Sequence, residues 1–202
     1  MGANKNWKEH KRVFLNGRMK SLLKKGYSAE EAKSMCARLG YHFDNGYLEG
    51  MSEASVEIAY RMLFSIGFPV WKYDVSLSMD YYKAYKLLHY NRTNNINVQK
   101  MKDSNNWDAL RNEIREMIKN SYVYALFSEK HADSLFAYCE ESVESIILKT
   151  VMESAVASLF LDLEKEGFPV RNHQVTIKMT FEEACAITHK NQSKESDKEV
   201  HH

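Results

Sequence analysis

Apolar residues recur three, four or seven positions apart over most of the chain, which is the spacing of helices with one buried face. This spacing predicts a first helix over 7–25 and a counterpart over 107–124. It also predicts a helix over 52–66 and a longer one over 140–163. The chain is therefore predicted to be mainly helical.

A short second helix and a loop are predicted between the first helix of the chain and the helix over 52–66. Ser28 and Glu31 have the spacing of a reciprocal capping box, so this second helix begins after Ser28 and ends near Leu39. Three glycines and an Asn-Gly pair follow between 40 and 50, which predicts an irregular loop or a broken helix. The corresponding residues 140–148 lack glycine and continue a helical pattern.

Two short segments change from the helical period to a period of two. Apolar and polar residues alternate over Val75–Met79 and over Val175–Met179, which predicts one half-buried strand in each segment. Because a single strand does not form a stable sheet, we expect the two to pair with each other, antiparallel. Asp80 and Thr180 follow the strands and are suited to cap a last helix in each half.

The two halves of the chain repeat each other at a constant offset of one hundred positions. The tetrapeptide Gly67-Phe68-Pro69-Val70 returns as Gly167-Phe168-Pro169-Val170, and these copies contain both prolines. Eight further residues recur at the same offset: Glu53, Val56, Leu63, Val75, Met79, Ala84, His89 and Asn91. We interpret the chain as a tandem duplication of a helical unit, with four helices and one strand in each copy and a pseudo-twofold axis between them.

The duplication divides the chain into two copies of opposite charge. Copy one spans 1–91, an asparagine-rich linker spans 92–106, and copy two spans 107–191. A polar tail follows over 192–202, and its last two histidines have the character of a purification-tag remnant. Residues 1–100 contain 16 Lys and Arg against 9 Asp and Glu, a net charge of +7. Residues 101–202 contain 12 against 18, a net charge of −6.

Composition excludes several classes of protein. The 202 residues are 44% apolar, which is enough for a substantial core. No run reaches the eighteen apolar residues of a membrane helix, and no apolar stretch follows the basic N-terminus. We therefore expect no membrane association, no secretory signal and a cytoplasmic location. The three cysteines are far apart and predict neither a disulfide framework nor a zinc site.

Three aromatic residues, Tyr41, Phe43 and Tyr47, lie among the glycines of the predicted loop. The two copies differ most between 40–50 and 140–148, so a copy that has acquired a separate function would have changed in this segment. The three side chains either contact a partner protein or pack against the shared core.

The first predicted helix has a strongly basic face. It contains Lys8, Lys11, Arg12, Arg18, Lys20, Lys24 and Lys25, opposed only by Glu9. Such a face binds the phosphates of nucleic acid, is simply solvated, or matches the acidic second copy within the fold.

The ionisable residues that recur in both copies are Glu53 with Glu153 and His89 with His189. Together they would form a symmetric catalytic or metal site. Alternatively, each glutamate in a first turn and each histidine in a last turn complements a helix dipole. The sequence contains no glycine-rich phosphate loop and no recognised nucleophile motif, so we predict no cofactor.

With no catalytic signature, we expect a non-enzymatic protein-binding regulator, adaptor or inhibitor, of the kind that phages and mobile elements encode. The alternatives are a nucleic-acid-binding protein that uses the basic first helix, and an enzyme or metal protein built on the duplicated Glu and His residues. The oligomeric state stays open.

Overall fold

The computed structural model describes residues 7–91, 106–124 and 129–187, except for the side chains of 90, 91, 117–124 and 129–141. These residues are mainly helical, with one two-stranded sheet. The predicted linker, apart from Asn106, and the predicted tail over 192–202 lie outside the described residues.

The elements follow the same order in the N-terminal half (residues 7–91) and the C-terminal half (residues 106–187). The N-terminal half contains α1 (Trp7–Lys24), α2 (Ala29–Ser65), a 3-10 turn (Val70–Lys72), β1 (Val75–Asp80) and α3 (Tyr81–Asn91). The C-terminal half contains α4 (Trp107–Tyr124), α5 (Glu129–Lys165), a 3-10 turn (Val170–Asn172), β2 (Gln174–Met179) and α6 over 181–187. The helices α2 and α5 each have 37 residues, at bounds one hundred positions apart.

The prediction of a loop between 40 and 50 is wrong, because α2 continues through this segment without a break. Gly40 is buried where α1 approaches α2, and a Cβ at this position would lie 3.3 Å from Cε of Lys11. Burial of Leu48 on the same helix adds apolar contacts. This packing outweighs the loss of roughly 1 kcal/mol that each helical glycine costs relative to alanine. Each half therefore has three described helices, and the predicted four per copy is wrong.

The strands β1 and β2 pair antiparallel, as the sequence predicts. Leu77 lies opposite Ile177, and Val75 lies opposite Met179. The apolar members of both strands are buried and the alternate residues are more exposed, because successive side chains of a strand point to opposite faces. The sheet therefore joins the two halves and packs one face against the helices.

The long helices α2 and α5 contribute most of the core between the halves. The fully buried side chains include pairs one hundred positions apart, namely Val56 with Val156, Tyr60 with Phe160, Leu63 with Leu163 and Val70 with Val170. The hydroxyl of Tyr60 lies 3.2 and 3.0 Å from the carbonyl oxygens of Tyr73 and Met179, which share its one proton, so its polar atom is satisfied inside the core. Cys36 and Cys185 are free thiols.

The two predicted capping boxes are confirmed by their hydrogen bonds, whereas the predicted helix end near Leu39 and the predicted helix starts at 52 and 140 are wrong, because α2 and α5 are continuous there. Ser28 and Glu31 form the reciprocal capping box at the start of α2. Thr180 and Glu183 make the same two bonds at the start of α6. The glycines at 67 and 167 follow α2 and α5 with φ angles of 87° and 82°, a left-handed conformation that glycine adopts without a steric penalty.

Candidate functional site

The first helix of each half begins against the turn of the other half. The ring of Trp7 in α1 contacts Phe168 edge-on, with centroids 5.0 Å apart. The ring of Trp107 in α4 contacts Phe68 in the same way at 4.6 Å, and the backbone N–H of Trp107 donates to the Ile66 carbonyl. Both tryptophans are buried, so these contacts are interior packing and leave no ligand site between the rings.

Two buried carboxylates lie near these contacts. Asp44 of α2 accepts a hydrogen bond from Nζ of Lys11 at 2.5 Å, and its Oδ1 has no hydrogen-bond partner among the described residues. Glu144 of α5 accepts a hydrogen bond from the hydroxyl of Tyr73 at 2.6 Å, with Nζ of Lys72 3.8 Å away. Because a charged group is costly to bury without such partners, these bonds have a structural role.

His173 is the third buried ionisable group of this region. Its Nδ1 is hydrogen-bonded to Oδ1 of Asn45, and its ring stacks near Tyr41 with centroids 5.0 Å apart. Burial lowers the pKa of His173 below its usual 6.5; nearby Lys11 lowers it further, while Asp44 opposes the shift. At neutral pH the ring is therefore neutral, and Nδ1 donates to the amide oxygen.

The three predicted protein-binding aromatics lie on one continuous helix and differ in exposure. Phe43 is half-buried against Phe14, with ring centroids 5.3 Å apart. Tyr47 stacks on Phe168 at 5.9 Å. Tyr41 alone among the three is exposed, with 51% of its surface accessible. The predicted trio therefore belongs largely to the packing of α1 against α2 and the C-terminal half.

A different aromatic cluster is exposed where α2 ends. We call Phe64, Trp71 and Phe181 the aromatic corner. Phe64 lies edge-on to Trp71, with ring centroids 6.4 Å apart, and contacts Phe181 of α6 at 5.3 Å. Phe181 in turn contacts the buried Tyr60 at 6.0 Å. Phe64 and Trp71 are 51% and 58% exposed, so two large rings face solvent on a support that is anchored in the core.

The positions one hundred residues away form an ionic corner instead. Nε of Arg171 donates to Oε1 of Glu164 at 2.9 Å, and a terminal nitrogen of the same guanidinium lies 2.7 Å from the same oxygen. The same guanidinium donates to the hydroxyl of Tyr81 and lies over its ring, 4.5 Å from the centroid. The hydrogen bond from Arg171 lowers the pKa of Glu164. The two corners share a backbone arrangement and differ completely in chemistry.

The predicted basic residues of α1 do not form one free face. Lys11 is bonded to Asp44, Arg12 to Glu9 at 2.6 Å, and the Arg18 guanidinium lies 5.5 Å from the ring centroid of Phe14. Lys8 lies beside Gly167 and near the Trp7 ring. Lys20, Lys24 and Lys25 are exposed and form no ion pair with a described residue.

The duplicated Glu and His residues have different surroundings. Glu153 accepts a hydrogen bond from Nζ of Lys83 at 2.8 Å. Partial burial raises the pKa of Glu53, and the neighbouring carboxylates of Glu49 and Glu183 raise it further. His89 is exposed, with its ring 4.0 Å from that of Tyr85, whereas the predicted partner His189 lies outside the described residues.

Within the described ranges, no three His, Cys, Asp or Glu side chains are grouped so that they would hold a metal ion. None of the described helices combines the length and apolar character needed to cross a membrane. Comparison of the chain with protein families, curated proteins and solved structures finds no match.

Sequence reasoning missed the aromatic corner, although the repeat contains a signal for it. The helical pattern places Phe64 on the apolar face of 52–66, and Trp71 follows a proline outside any periodic segment. The residues one hundred positions later are Glu164 and Arg171, which are charged. Charged residues at equivalent positions indicate solvent exposure, and that comparison distinguishes Phe64 from the buried members of its helix.

Proposed function

We propose that this chain is a cytoplasmic, non-enzymatic protein that binds another protein as a regulator, adaptor or inhibitor, and that the aromatic corner is its contact surface. The exposure of Phe64 and Trp71 on a supported corner is the observation that carries the proposal. Tryptophan and other large aromatic residues are enriched at the energetic centres of protein interfaces, where burial in the complex stabilises binding.

The rigidity of the corner favours this use. Trp71 sits in the 3-10 turn Val70–Lys72, directly after the buried Val70 and close to the buried Phe68, so its backbone position is fixed by the core. Phe64 is held by rings on both sides. A partner would therefore meet side chains that lose little conformational freedom on binding, which favours affinity.

We further propose that the chain arose by tandem duplication and that the two corners diverged afterwards. The equal lengths of α2 and α5, the left-handed glycines at 67 and 167, and the reciprocal tryptophan contacts support this origin. The finer fold description of two pseudo-twofold copies rests on the same correspondences. Under this proposal the ionic corner keeps a structural ion pair, whereas the aromatic corner has been adapted for a partner.

The test is a pull-down from the native host with matched surface variants. Phe64→Ser with Trp71→Ser removes the aromatic corner, and Glu164→Ser with Arg171→Ser changes the equivalent positions. We expect a protein partner that survives nuclease treatment, is retained by the second double variant and is reduced at least tenfold by the first. A partner retained equally by both variants would contradict the assignment of the surface.

Nucleic-acid binding through α1 is the alternative function, and the exposed Lys20, Lys24 and Lys25 favour it. Their positive charge is available for phosphate contacts, whose affinity falls steeply with salt. If α1 binds nucleic acid, substitution of the three lysines by glutamate abolishes binding to a generic DNA duplex at low salt. The control substitution Lys86→Glu on α3 leaves this binding intact. Loss of all partners after nuclease treatment in the pull-down would favour this alternative.

A further inference from the structure

Among the described residues, no strand lies beside the edge of β1 that faces away from β2. The sheet contains two strands, so β2 pairs with only one side of β1. Nζ of Lys83 donates to the Ser78 carbonyl and also binds Glu153 of α5, which places that carbonyl on the side away from β2. Backbone groups of a strand alternate in direction, so the N–H and C=O of Ser76 face the same open side.

A groove of about 220 Å³ runs between this edge and α5. We call it the edge groove. Val75 and Leu77 of β1 and Leu148 and Met152 of α5 contribute its apolar lining. This volume accommodates a large apolar side chain of a bound ligand.

Polar residues border the edge groove. Asp74, Ser76, Ser145 and Lys149 are exposed at its rim. Lys149 forms no ion pair with a described residue, so its charge is available to a ligand carboxylate. In the N-terminal half the residue equivalent to Ser145 is Asn45, which bonds His173, and the residue equivalent to Lys149 is Glu49. Asp74 adds a negative charge to the same rim, and its equivalent in the C-terminal half is Gln174. The feature particular to the β1 side is therefore open space beside a lysine that forms no ion pair with a described residue.

We propose that the edge groove binds an extended segment of a partner protein as a third strand beside β1. The backbone of the segment pairs with the N–H and C=O of Ser76, an apolar side chain enters the groove over Leu148, and an acidic side chain two or more positions away pairs with Lys149. Main-chain hydrogen bonds supply affinity in this mode of recognition, and pockets for alternate side chains supply specificity. The site shares no residue with the aromatic corner, and the inference does not depend on it.

The test uses the full chain and a library of random linear twelve-residue peptides. Peptides enriched on the wild-type chain are measured by fluorescence anisotropy against four variants. Ser145→Trp fills the groove and Lys149→Glu reverses the rim charge. Ile146→Trp, at the next and 64% exposed position of α5, and Lys178→Glu, on the exposed face of β2, are the matched controls.

We expect the enriched peptides to alternate apolar and polar residues and to contain an acidic residue. Their affinity should fall at least tenfold in both groove variants and should not change in either control. N-methylation of alternate peptide nitrogens abolishes binding if main-chain pairing holds the segment. The Phe64→Ser, Trp71→Ser variant keeps full peptide affinity, which separates this result from the test of the aromatic corner. Failure to enrich any peptide overturns the proposal, as does equal binding by groove and control variants. Self-association that Ser145→Trp abolishes also overturns it, by assigning the edge to a second copy.

Discussion

The hydroxyl of Tyr73 in the N-terminal half donates a hydrogen bond to the buried carboxylate of Glu144 in the C-terminal half, over 2.6 Å. Glu144 is only 4% exposed, so water compensates little of its charge. Because this bond crosses between the halves, its loss is expected to weaken their association as well as the local packing.

Tyr73→Phe keeps the ring and removes the donor. We expect a loss of about 1–3 kcal/mol in the free energy of unfolding, since a buried acceptor is left with one partner fewer. Urea denaturation followed by circular dichroism measures this change. Tyr82→Phe, at a 72% exposed position, is the control and should change stability by less than about 0.5 kcal/mol. Equal stability of the two variants would show that the Tyr73 bond has no net effect.

Substitution of glycine distinguishes a helix from a loop between 40 and 50. Gly46 lies within α2, and a Cβ there meets nothing within 4 Å. We therefore expect Gly46→Ala to stabilise the protein by about 0.5–1 kcal/mol. Gly67→Ala is the opposite case, because the φ angle of 87° is strained for alanine, and we expect it to destabilise. Thermal unfolding measures the stability of both variants. Destabilisation by Gly46→Ala would mean that the segment is not helical.

Local sequence patterns predict part of the fold and miss the part that depends on long-range contacts. The strands are found correctly because their period of two survives in both halves, and the capping residues because their hydrogen bonds are local. The run of glycines wrongly predicts a loop because a local pattern does not reveal long-range contacts. The contact between Gly40 and Lys11 of α1 offsets the low helix propensity of glycine. Tyr41, Phe43 and Tyr47 are assigned to a loop for the same reason.

The same substitution at Glu53 and Glu153 should have opposite effects. Glu153→Gln removes the ion pair with Lys83 and should cost about 1 kcal/mol at neutral pH. Glu53→Gln removes a carboxylate that faces Glu49 and Glu183, and should stabilise by about 0.5 kcal/mol. Thermal unfolding at pH 7 measures both changes.

The pH dependence of the Glu53 effect follows from its raised pKa. The folded state holds the proton more tightly than the unfolded state, so the contribution of Glu53 to stability is lost as the pH rises above 4.5. The advantage of Glu53→Gln should therefore vanish below pH 4.5 and be largest near neutrality. Destabilisation by both substitutions at pH 7 would contradict the assigned surroundings of Glu53.

His173 should make the protein sensitive to mild acid. Its folded pKa lies below 6.5, so the unfolded chain binds the proton first and the free energy of unfolding falls as the pH is lowered through 6.5. We expect His173→Gln to reduce this slope between pH 7 and 5.5, with His42→Gln, at an exposed position, as the control. Urea titrations across this pH range measure the slopes. An unchanged slope in His173→Gln would show that the ring is not held neutral by burial.

Site-specific photo-crosslinking in the native host shows whether the aromatic corner contacts a partner protein. A photoreactive p-benzoylphenylalanine replaces Trp71 in one variant and Arg171, at the equivalent ionic corner, in the other. We predict a discrete, nuclease-resistant protein adduct from position 71 and none from position 171. No adduct from position 71, or the same adduct from both positions, would show that the aromatic corner is not the contact surface.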